Sequence, residues 1–225
     1  MNRFIYPYDL NINLTDIQNK LANQVIREDM AGSLERIAGV DISFAENNLA
    51  VAVAVSFDLE NIELVEQATR KVELHFPYIP GFLGFREADA MVSVLNDLNK
   101  GFDAAMVNGH GVLHPRGFGL ASQIGLLLDK PTLGLAKRLI SGNYLKCNAK
   151  LNGEKTIELV MNGKDIEGAY LNGYYVSIGH KISLSQAINI VKKTSNYRTP
   201  EPLRAAHIQA TKTFKDLLKI KKGFI

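Results

Sequence analysis

Residues 107–116 have the sequence VNGHGVLHPR, and the apolar run that leads into them, Ala104 to Val107, predicts a short buried strand. Two glycines let the backbone approach a ligand closely, and two histidines and an arginine follow the end of the strand. In open α/β sheets, ligand sites lie beyond the carboxyl ends of strands. We therefore expect a functional site here, with Asn108 at the tip of its strand.

Three apolar runs upstream of this segment predict strands of a sheet. They cover residues 37–44, 49–57 and 62–74. The polar stretches between them, 47–48 and 59–61, are short enough for tight turns, which favours an antiparallel meander.

Downstream of the segment, a further strand is predicted at residues 132–136. Asn-Gly pairs then recur at 152–153, 162–163 and 172–173 between apolar runs. Because Asn-Gly is the strongest short hairpin signal, these pairs indicate an antiparallel extension.

Helices are predicted where apolar residues recur at helical spacing and capping residues precede them. Thr15 with Gln18 and Ser183 with Gln186 form capping-box patterns. The helices are expected at residues 15–27, 86–98, 120–128 and 183–193, and after Pro200-Glu201-Pro202.

This order of elements predicts an α/β fold, a mixed sheet with helices on both faces, a C-terminal antiparallel extension and further helices. No linker or low-complexity segment divides the chain, so we expect a single domain over residues 1–225.

The composition is that of an ordinary globular protein, with 46% hydrophobic and 22% charged residues and a formal net charge of +3. This charge permits nucleic-acid binding without requiring it. The single cysteine, Cys147, suits a reducing compartment. With no signal-peptide pattern and no apolar run near the roughly 20 residues that span a membrane, we expect a cytoplasmic protein without a membrane partner. Nothing in the sequence suggests an obligate dimer, so we expect a monomer.

Three polar residues mark the candidate site. Asp41 lies inside the first predicted strand between Val40 and Ile42, where a carboxylate is costly to bury unless it is paired or bound to a cation. Glu87 opens a predicted helix, where an acid is favourable in any case. Asn108 precedes a glycine, as turn residues often do.

Together these three residues indicate a metal site. When a parallel strand follows a three-stranded meander, the first and fourth strands become neighbours, which brings Asp41 and Asn108 side by side with Glu87 approaching from its helix. Oxygen-rich clusters of this kind hold Mg²⁺, which activates water in phosphodiester hydrolysis. We predict Asp41, Glu87 and Asn108 as metal ligands, with Mn²⁺ as a substitute for Mg²⁺.

Several motifs occur in a fixed order along the chain. They are GVD at 39–41, PYIPGFL at 77–83 with FRE at 85–87, GHG at 109–111 with HPR at 114–116, GLAK at 134–137 and PEP at 200–202. This order resembles endonuclease V, the deoxyinosine 3′ endonuclease family, over about residues 15 to 210. The PYIPGFL and FRE block is the most specific part.

The resemblance implies a ribonuclease H-like fold and a DNA-repair endonuclease. The family cleaves the second phosphodiester bond on the 3′ side of a deaminated adenine (inosine, with hypoxanthine as its base) in a Mg²⁺-dependent reaction. Some members act on DNA, and others prefer inosine in RNA.

The resemblance also implies how the base is recognised. Tyr78 matches the wedge that fills the gap left by a flipped base, and a flat ring on a proline-stiffened loop can stack there at little entropic cost. Ordinary core packing of Tyr78 is the alternative. A backbone N–H beside the hypoxanthine oxygen would discriminate it from the adenine amino group. The other implied substrate-binding residues are Pro80, Gly81, Leu83, Gly111, Arg116, Gly119, Leu120 and Ile140.

The implied catalytic set extends beyond the three metal ligands. His114 and Lys137 match polar residues near the scissile phosphate, where a cation or donor stabilises negative charge. His207, on the last helix, matches a position that faces the metal site, although a lone histidine on a helix is often structural. The set is Asp41, Glu87, Asn108, His114, Lys137 and His207.

Asn108 departs from the family, which carries an acid there. An Asn carbonyl can still bind Mg²⁺, but the lost charge weakens the site, so the chain is an inactivated form, a variant with altered metal demand, or a member that binds without cutting. Asn108 also precedes Gly109, a pair prone to deamidation, which would restore an acid.

Three interpretations of function follow: an inosine-directed endonuclease of DNA or of RNA, an inosine-binding protein that does not cleave, and an unrelated α/β nucleotide-binding enzyme. The last predicts a phosphate fingerprint such as G-x-x-x-x-G-K-[ST], which the sequence lacks.

Overall fold

A nine-stranded mixed sheet forms the framework of the protein. The computed structural model describes residues 13–30, 32–44, 48–140, 142, 144–150 and 156–222. The strands are β1 (Arg36–Phe44), β2 (Leu49–Asp58), β3 (Leu64–Glu73), β4 (Ala104–Asn108), β5 (Thr132–Ala136), β6 (Tyr144–Lys150), β7 (Thr156–Asn162), β8 (Asp165–Leu171) and β9 (Tyr174–His180). The helices are α1 (Leu14–Ala22), α2 (Leu83–Leu95), α3 (Leu120–Leu128), α4 (Leu184–Thr194) and α5 (Glu201–Lys222).

The strand order across the sheet is β3-β2-β1-β4-β5-β9-β8-β7-β6. The first three strands form the expected antiparallel meander, and β4 and β5 run parallel to β1. From β5 onward, every neighbouring pair is antiparallel. The predicted α/β architecture, a ribonuclease H-like mixed sheet with a C-terminal antiparallel extension, is therefore confirmed.

Helices cover both faces of the sheet because successive strand residues point to opposite sides and both sides are apolar. Val53 and Met106 pack beneath α4 and α5 on one face. Ala52 and Val107 pack beneath α2 and α3 on the other. Within the described ranges, no helix is both long and apolar enough to cross a membrane.

Helix α1 differs from its prediction at both ends. Its N-cap is Asn13, whose side chain accepts hydrogen bonds from the Thr15 and Asp16 amides, so Thr15 lies inside the helix. The helix stops at Ala22 rather than near residue 27. Beyond it, the Ile26 amide donates to His180 Nδ1, and the Ile26 carbonyl accepts from Lys181. This pairing with the end of β9 replaces the last predicted helical turn.

Helix α2 begins at Leu83, three residues earlier than predicted. Gly81 has a φ of +81°, which turns the chain directly into the helix, and the N-cap residue Phe82 makes no side-chain capping bond. Glu87 therefore lies in the second turn, so the favourable first-turn charge considered for it does not apply.

The hairpins of the extension follow the Asn-Gly signals in part. Asn172 and Gly173 form a two-residue turn with φ values of +54° and +82°, as a type I′ turn requires. At the preceding hairpin, Asn162 is still paired in β7, and the turn is formed by Gly163 and Lys164. The Asn-Gly pair at 152–153 lies outside the described residues.

Candidate active site

Asp41 and Asn108 meet at the carboxyl ends of two parallel strands. The register between β1 and β4 pairs Val40 with Val107, so the next residue of each strand lies side by side with the other. Asn108 Nδ2 donates a hydrogen bond to Asp41 Oδ1 at 3.1 Å. Asp41 is only 4% exposed, which makes this contact a buried one for the carboxylate.

His207 reaches the same carboxylate from α5. A Cβ atom on Gly39 would lie 2.2 Å from the Pro202 carbonyl oxygen, so only glycine lets the start of α5 pack this closely on β1. That close packing brings His207 Nδ1 to 2.6 Å from Asp41 Oδ2. The His207 side chain is 60% exposed and lies at the solvent side of the site.

Glu87 completes the acidic group from α2. It is 4% exposed, and burial together with the nearby negative charge of Asp41 raises its pKa to about 7, although Arg86 acts in the opposite direction. Two buried carboxylates that oppose each other's ionisation form a place where positive charge is favourable.

The oxygen ligands of the site fit a divalent cation, although their total negative charge is smaller than that of three carboxylates. Asp41 and Glu87 offer carboxylate oxygens and Asn108 a carboxamide oxygen, which are ligands that Mg²⁺ and Mn²⁺ accept. In the described part of the chain, no three Asp, Glu, His or Cys side chains converge into a complete metal cluster. Asn108 thus leaves the site with two acids where three are expected from the family resemblance.

Tyr78 projects from the PYIPG loop, residues 77–81, and is 64% exposed. This exposure argues against the alternative of core packing. The upstream end of the loop is held by Arg86, whose guanidinium donates to the Phe76 carbonyl and lies 5.2 Å from the Phe44 ring centre. Pro80 lies on the same exposed stretch.

His114 occupies a buried position that differs from the expected phosphate contact. It is 2% exposed, its Nε2 lies 3.1 Å from the Gly81 carbonyl oxygen, and its Nδ1 accepts from the Arg116 amide. Burial, with the positive charges of Arg116 and His110, lowers the pKa of His114 to about 4. A neutral imidazole with both nitrogens bonded to backbone has none left for a phosphate, so we propose a positioning role instead.

Arg116 also faces inward. Its Nη2 donates to the Gly81 carbonyl oxygen at 2.6 Å, its Nε donates to the Gln18 side chain, and its guanidinium lies 4.4 Å from the Phe82 ring centre. These contacts tie it to the PYIPG loop, and its contact with the backbone of a substrate remains a prediction.

Two glycines among the implied pocket positions, Gly111 and Gly119, lie in contact with each other. Gly119 donates from its amide to the Gly111 carbonyl, and a Cβ atom on Gly111 would lie 1.9 Å from the Ile178 carbonyl oxygen. The Gly111 amide donates to Ser177 Oγ at 2.9 Å. It is therefore already bonded within the protein, and a base would have to be read by other groups. Of the remaining positions, Leu120 is buried, whereas Leu83 and Ile140 are half-buried.

Lys137 directly follows β5 and is exposed. Leu135, two residues before it, pairs with Asn108. Lys137 therefore lies at the same edge of the sheet as Asn108, with its side chain exposed to solvent.

The amide of Gly109 bears on the deamidation hypothesis. Deamidation of Asn108 requires this amide nitrogen to attack the Asn108 side chain, yet its N–H donates to the carbonyls of Leu135 and Val107 at 2.9 Å. Because the strand end is hydrogen-bonded in this way, the structure disfavours the reaction.

Two residues of the site were not found from the sequence. Gln18 bonds to the PYIPG loop and Ser177 to Gly111, from positions 63 and 66 residues away along the chain. No local pattern marks such long-range pairs. The one sequence signal for Gln18 is its position beside the apolar residues Ile17 and Leu21 of the predicted helix.

Known proteins resemble this chain over most of its length. The family model described as endonuclease V matches residues 19–208. Endonuclease V of Thermus thermophilus is 39% identical over 211 residues, covering 89% of this chain and 92% of the relative. Endonuclease V of Dictyoglomus thermophilum is 36% identical over 203 residues, 87% of each chain.

Solved structures give the same result. Human endonuclease V superimposes with a TM-score of 0.79 at 27% identity, covering 91% of this chain and 98% of that one. Endonuclease V of Ciona intestinalis, in complex with DNA containing an inosine followed by a ribo-adenosine, gives 0.75 at 28% identity over 91% and 97%. The chain belongs to the endonuclease V family.

Proposed function

We propose that this protein is a metal-dependent endonuclease that recognises inosine in DNA and hydrolyses the second phosphodiester bond on its 3′ side. The observation that carries the proposal is the meeting of buried Asp41 and Glu87 with Asn108 at the carboxyl edge of the sheet. The nucleases of this family are metal-dependent, and the Ciona relative binds inosine-containing DNA.

In this proposal, each part of the site has a separate task. Asp41, Glu87 and the Asn108 carbonyl would hold Mg²⁺, which activates water and stabilises the leaving oxygen when bound. Lys137 supplies a mobile positive charge to the phosphate from the solvent side. His207 keeps Asp41 oriented through the hydrogen bond to Oδ2.

Base recognition is assigned to the exposed tyrosine and the glycine-rich loop. Tyr78 stacks in the gap left by the extruded nucleotide, a role supported by its exposure on a loop held at both ends. The hypoxanthine base enters between this loop and the Gly111–Gly119 contact. Selectivity against adenine arises in part because a normal pair resists extrusion more strongly than a damaged one.

A second candidate function is inosine binding without cleavage. It is favoured by one observation: both Asp41 oxygens already accept hydrogen bonds, from Asn108 and from His207. A carboxylate whose two oxygens are both hydrogen-bonded binds a cation more weakly, because the cation must compete with these bonds. An inosine-specific endoribonuclease would use the same residues and differs only in its substrate.

The wider proposal places the activity in DNA repair, in a cytoplasmic monomer with one domain over residues 1–225. A single cysteine supports a reducing compartment.

The test is a nicking assay with end-labelled duplex DNA that contains a single inosine, a matched adenine duplex, and single-stranded RNA with one inosine. Each is incubated with Mg²⁺ and with Mn²⁺. We expect one product, cut at the second bond past the inosine, and no cut in the adenine control. Selective binding without a cut would support the second candidate, and neither binding nor cutting would refute both.

A further inference from the structure

The carbonyl oxygen of Gly81 accepts three hydrogen bonds from two separate parts of the chain. Gln18 Nε2 and His114 Nε2 each lie at 3.1 Å, and Arg116 Nη2 lies at 2.6 Å. A carbonyl oxygen has two lone pairs, so three donors, one of them charged, surround it fully. The downstream end of the PYIPG loop is therefore fixed at one atom.

Gln18 holds this arrangement together. It is 2% exposed, and its Nε2 donates both to Gly81 and, at 3.1 Å, to the Phe118 carbonyl, while its Oε1 accepts from Arg116 Nε. A buried carboxamide is costly unless its groups are bonded, and here both ends of the amide have partners. Gln18 thus joins α1 to the loop, to Arg116 and to the segment that leads into α3.

The exposed part of the PYIPG loop lies between two fixed points. Arg86 holds the Phe76 carbonyl on one side, and the three donors hold Gly81 on the other. Residues 77–80 between them are exposed, and two of these four are proline. A short segment with both ends fixed has few accessible conformations, so Tyr78 is held ready before any ligand arrives.

We propose that Gln18 is a positioning residue that sets the direction of Tyr78 through the Gly81 carbonyl and thereby the selectivity for inosine-containing nucleic acid. This inference rests on the proposed function of Tyr78 as a wedge. The proposal assigns Gln18 no direct contact with the base or with the reacting phosphate.

The positioning claim is tested without substrate. The chain has no tryptophan, so Tyr78→Trp introduces a single fluorescent probe at the loop. In this background we compare Gln18 with Gln18→Met, which has the same length but no hydrogen bonds. We expect the acrylamide quenching constant to rise about twofold as the loop samples open conformations.

Two further variants distinguish the loss of the Gln18 donors from the loss of any other side-chain hydrogen bond to a carbonyl. Gln18→Glu keeps an acceptor for Arg116 but loses both donors, so it should loosen the loop as Gln18→Met does. Ser56→Ala removes a hydrogen bond from another buried side chain to a carbonyl, from Ser56 Oγ to Gly101 at 3.0 Å, and should leave the quenching constant unchanged. Thermal unfolding confirms that all variants are folded. Quenching that is unchanged in both Gln18 variants would overturn the proposal.

The functional consequence is measured in the chain with its natural Tyr78. With Ca²⁺ in place of a catalytic metal, the ratio of dissociation constants for undamaged and inosine-containing duplex should fall about tenfold in Gln18→Met, with unchanged affinity for undamaged duplex. A raised quenching constant with an unchanged ratio of dissociation constants would refute the role of Gln18 in selectivity. If the natural chain shows no selectivity, the proposed function fails, while the quenching result still decides whether Gln18 positions the loop.

Discussion

The Asn108 side-chain amide donates a hydrogen bond to Asp41 Oδ1 over 3.1 Å. An acid at this position would instead place a third negative charge beside Asp41 and Glu87, whose pKa is already raised to about 7. The carboxamide therefore stabilises the protein without metal and, by the same charge difference, weakens the attraction of the site for a cation.

Asn108→Asp is expected to make stability depend on metal. In chelator at about pH 8, the added charge should lower the free energy of unfolding by about 2 kcal/mol, because three carboxylates then repel one another. Saturating Mn²⁺ should restore it, and the midpoint of thermal unfolding should rise more in the variant than in the natural chain. Asn172→Asp, in an exposed turn, is the control and should show the same metal dependence as the natural chain. An equal metal response in natural chain and variant would contradict the ligand role of residue 108.

Glu87 should make the metal-free protein less stable at high pH. Its pKa lies near 7 in the folded protein against an ordinary 4.5, so the folded state holds the proton more tightly than the unfolded state does. The contribution is fully present below about pH 4.5 and is lost as the pH rises through 7. The loss is on the order of 3 kcal/mol.

Urea unfolding of the natural chain and of Glu87→Gln, in chelator at about pH 5 and pH 8, measures this effect. The variant should lose less stability between the two conditions. Histidines with a lowered pKa, such as His114, are present in both proteins. Their contribution to the pH dependence of stability therefore cancels when the two proteins are compared. Identical pH dependence would show that Glu87 is not the group responsible.

Tyr78→Ala should weaken the binding of inosine-containing DNA selectively. Stacking of a base on an aromatic ring contributes about 1–3 kcal/mol, so we expect roughly a tenfold loss for inosine duplex and little change for undamaged duplex. Because Tyr78 is 64% exposed, stability should change by less than about 0.5 kcal/mol. Tyr78→Phe, which keeps the ring, should bind like the natural chain. An equal loss for both duplexes would argue against a wedge.

Asn108 is expected to resist deamidation. The Gly109 amide that would attack it is hydrogen-bonded to the Leu135 carbonyl, whereas Asn172, also followed by glycine, lies in a hairpin turn. Peptide mapping of protein aged at neutral pH should find Asp or iso-Asp at residue 172 and intact Asn108. Deamidation of Asn108 at the same rate as Asn172 would contradict this prediction and would support spontaneous formation of an acid at residue 108.

The sheet and the meeting of Asp41 with Asn108 could be predicted because both depend on local patterns. Apolar runs and short turns define the meander, and a parallel strand added beside β1 must align its carboxyl end with that of β1. The predicted neighbourhood of Asp41 and Asn108 follows from topology alone. Element interiors were therefore predicted better than their ends.

The errors come from interactions that the local sequence does not contain. Helix α2 begins early because Gly81 adopts a positive φ, and α1 ends early because the following chain pairs with the end of β9. The contacts of His114 with Gly81 and the Arg116 amide were not predicted either, and its place beside a phosphate remains a prediction. Which way a polar side chain faces is decided by tertiary packing, so a motif can identify the residue without revealing its contacts.

The most direct test of the account compares single-turnover nicking of inosine-containing duplex DNA by the natural chain and by Asn108→Asp, at saturating enzyme and in a titration of Mg²⁺. If residue 108 limits a metal site formed with Asp41 and Glu87, the variant will cut at the same bond, faster, and at lower Mg²⁺ concentration. Equal rates with equal metal dependence, or no cutting by either protein, would contradict it.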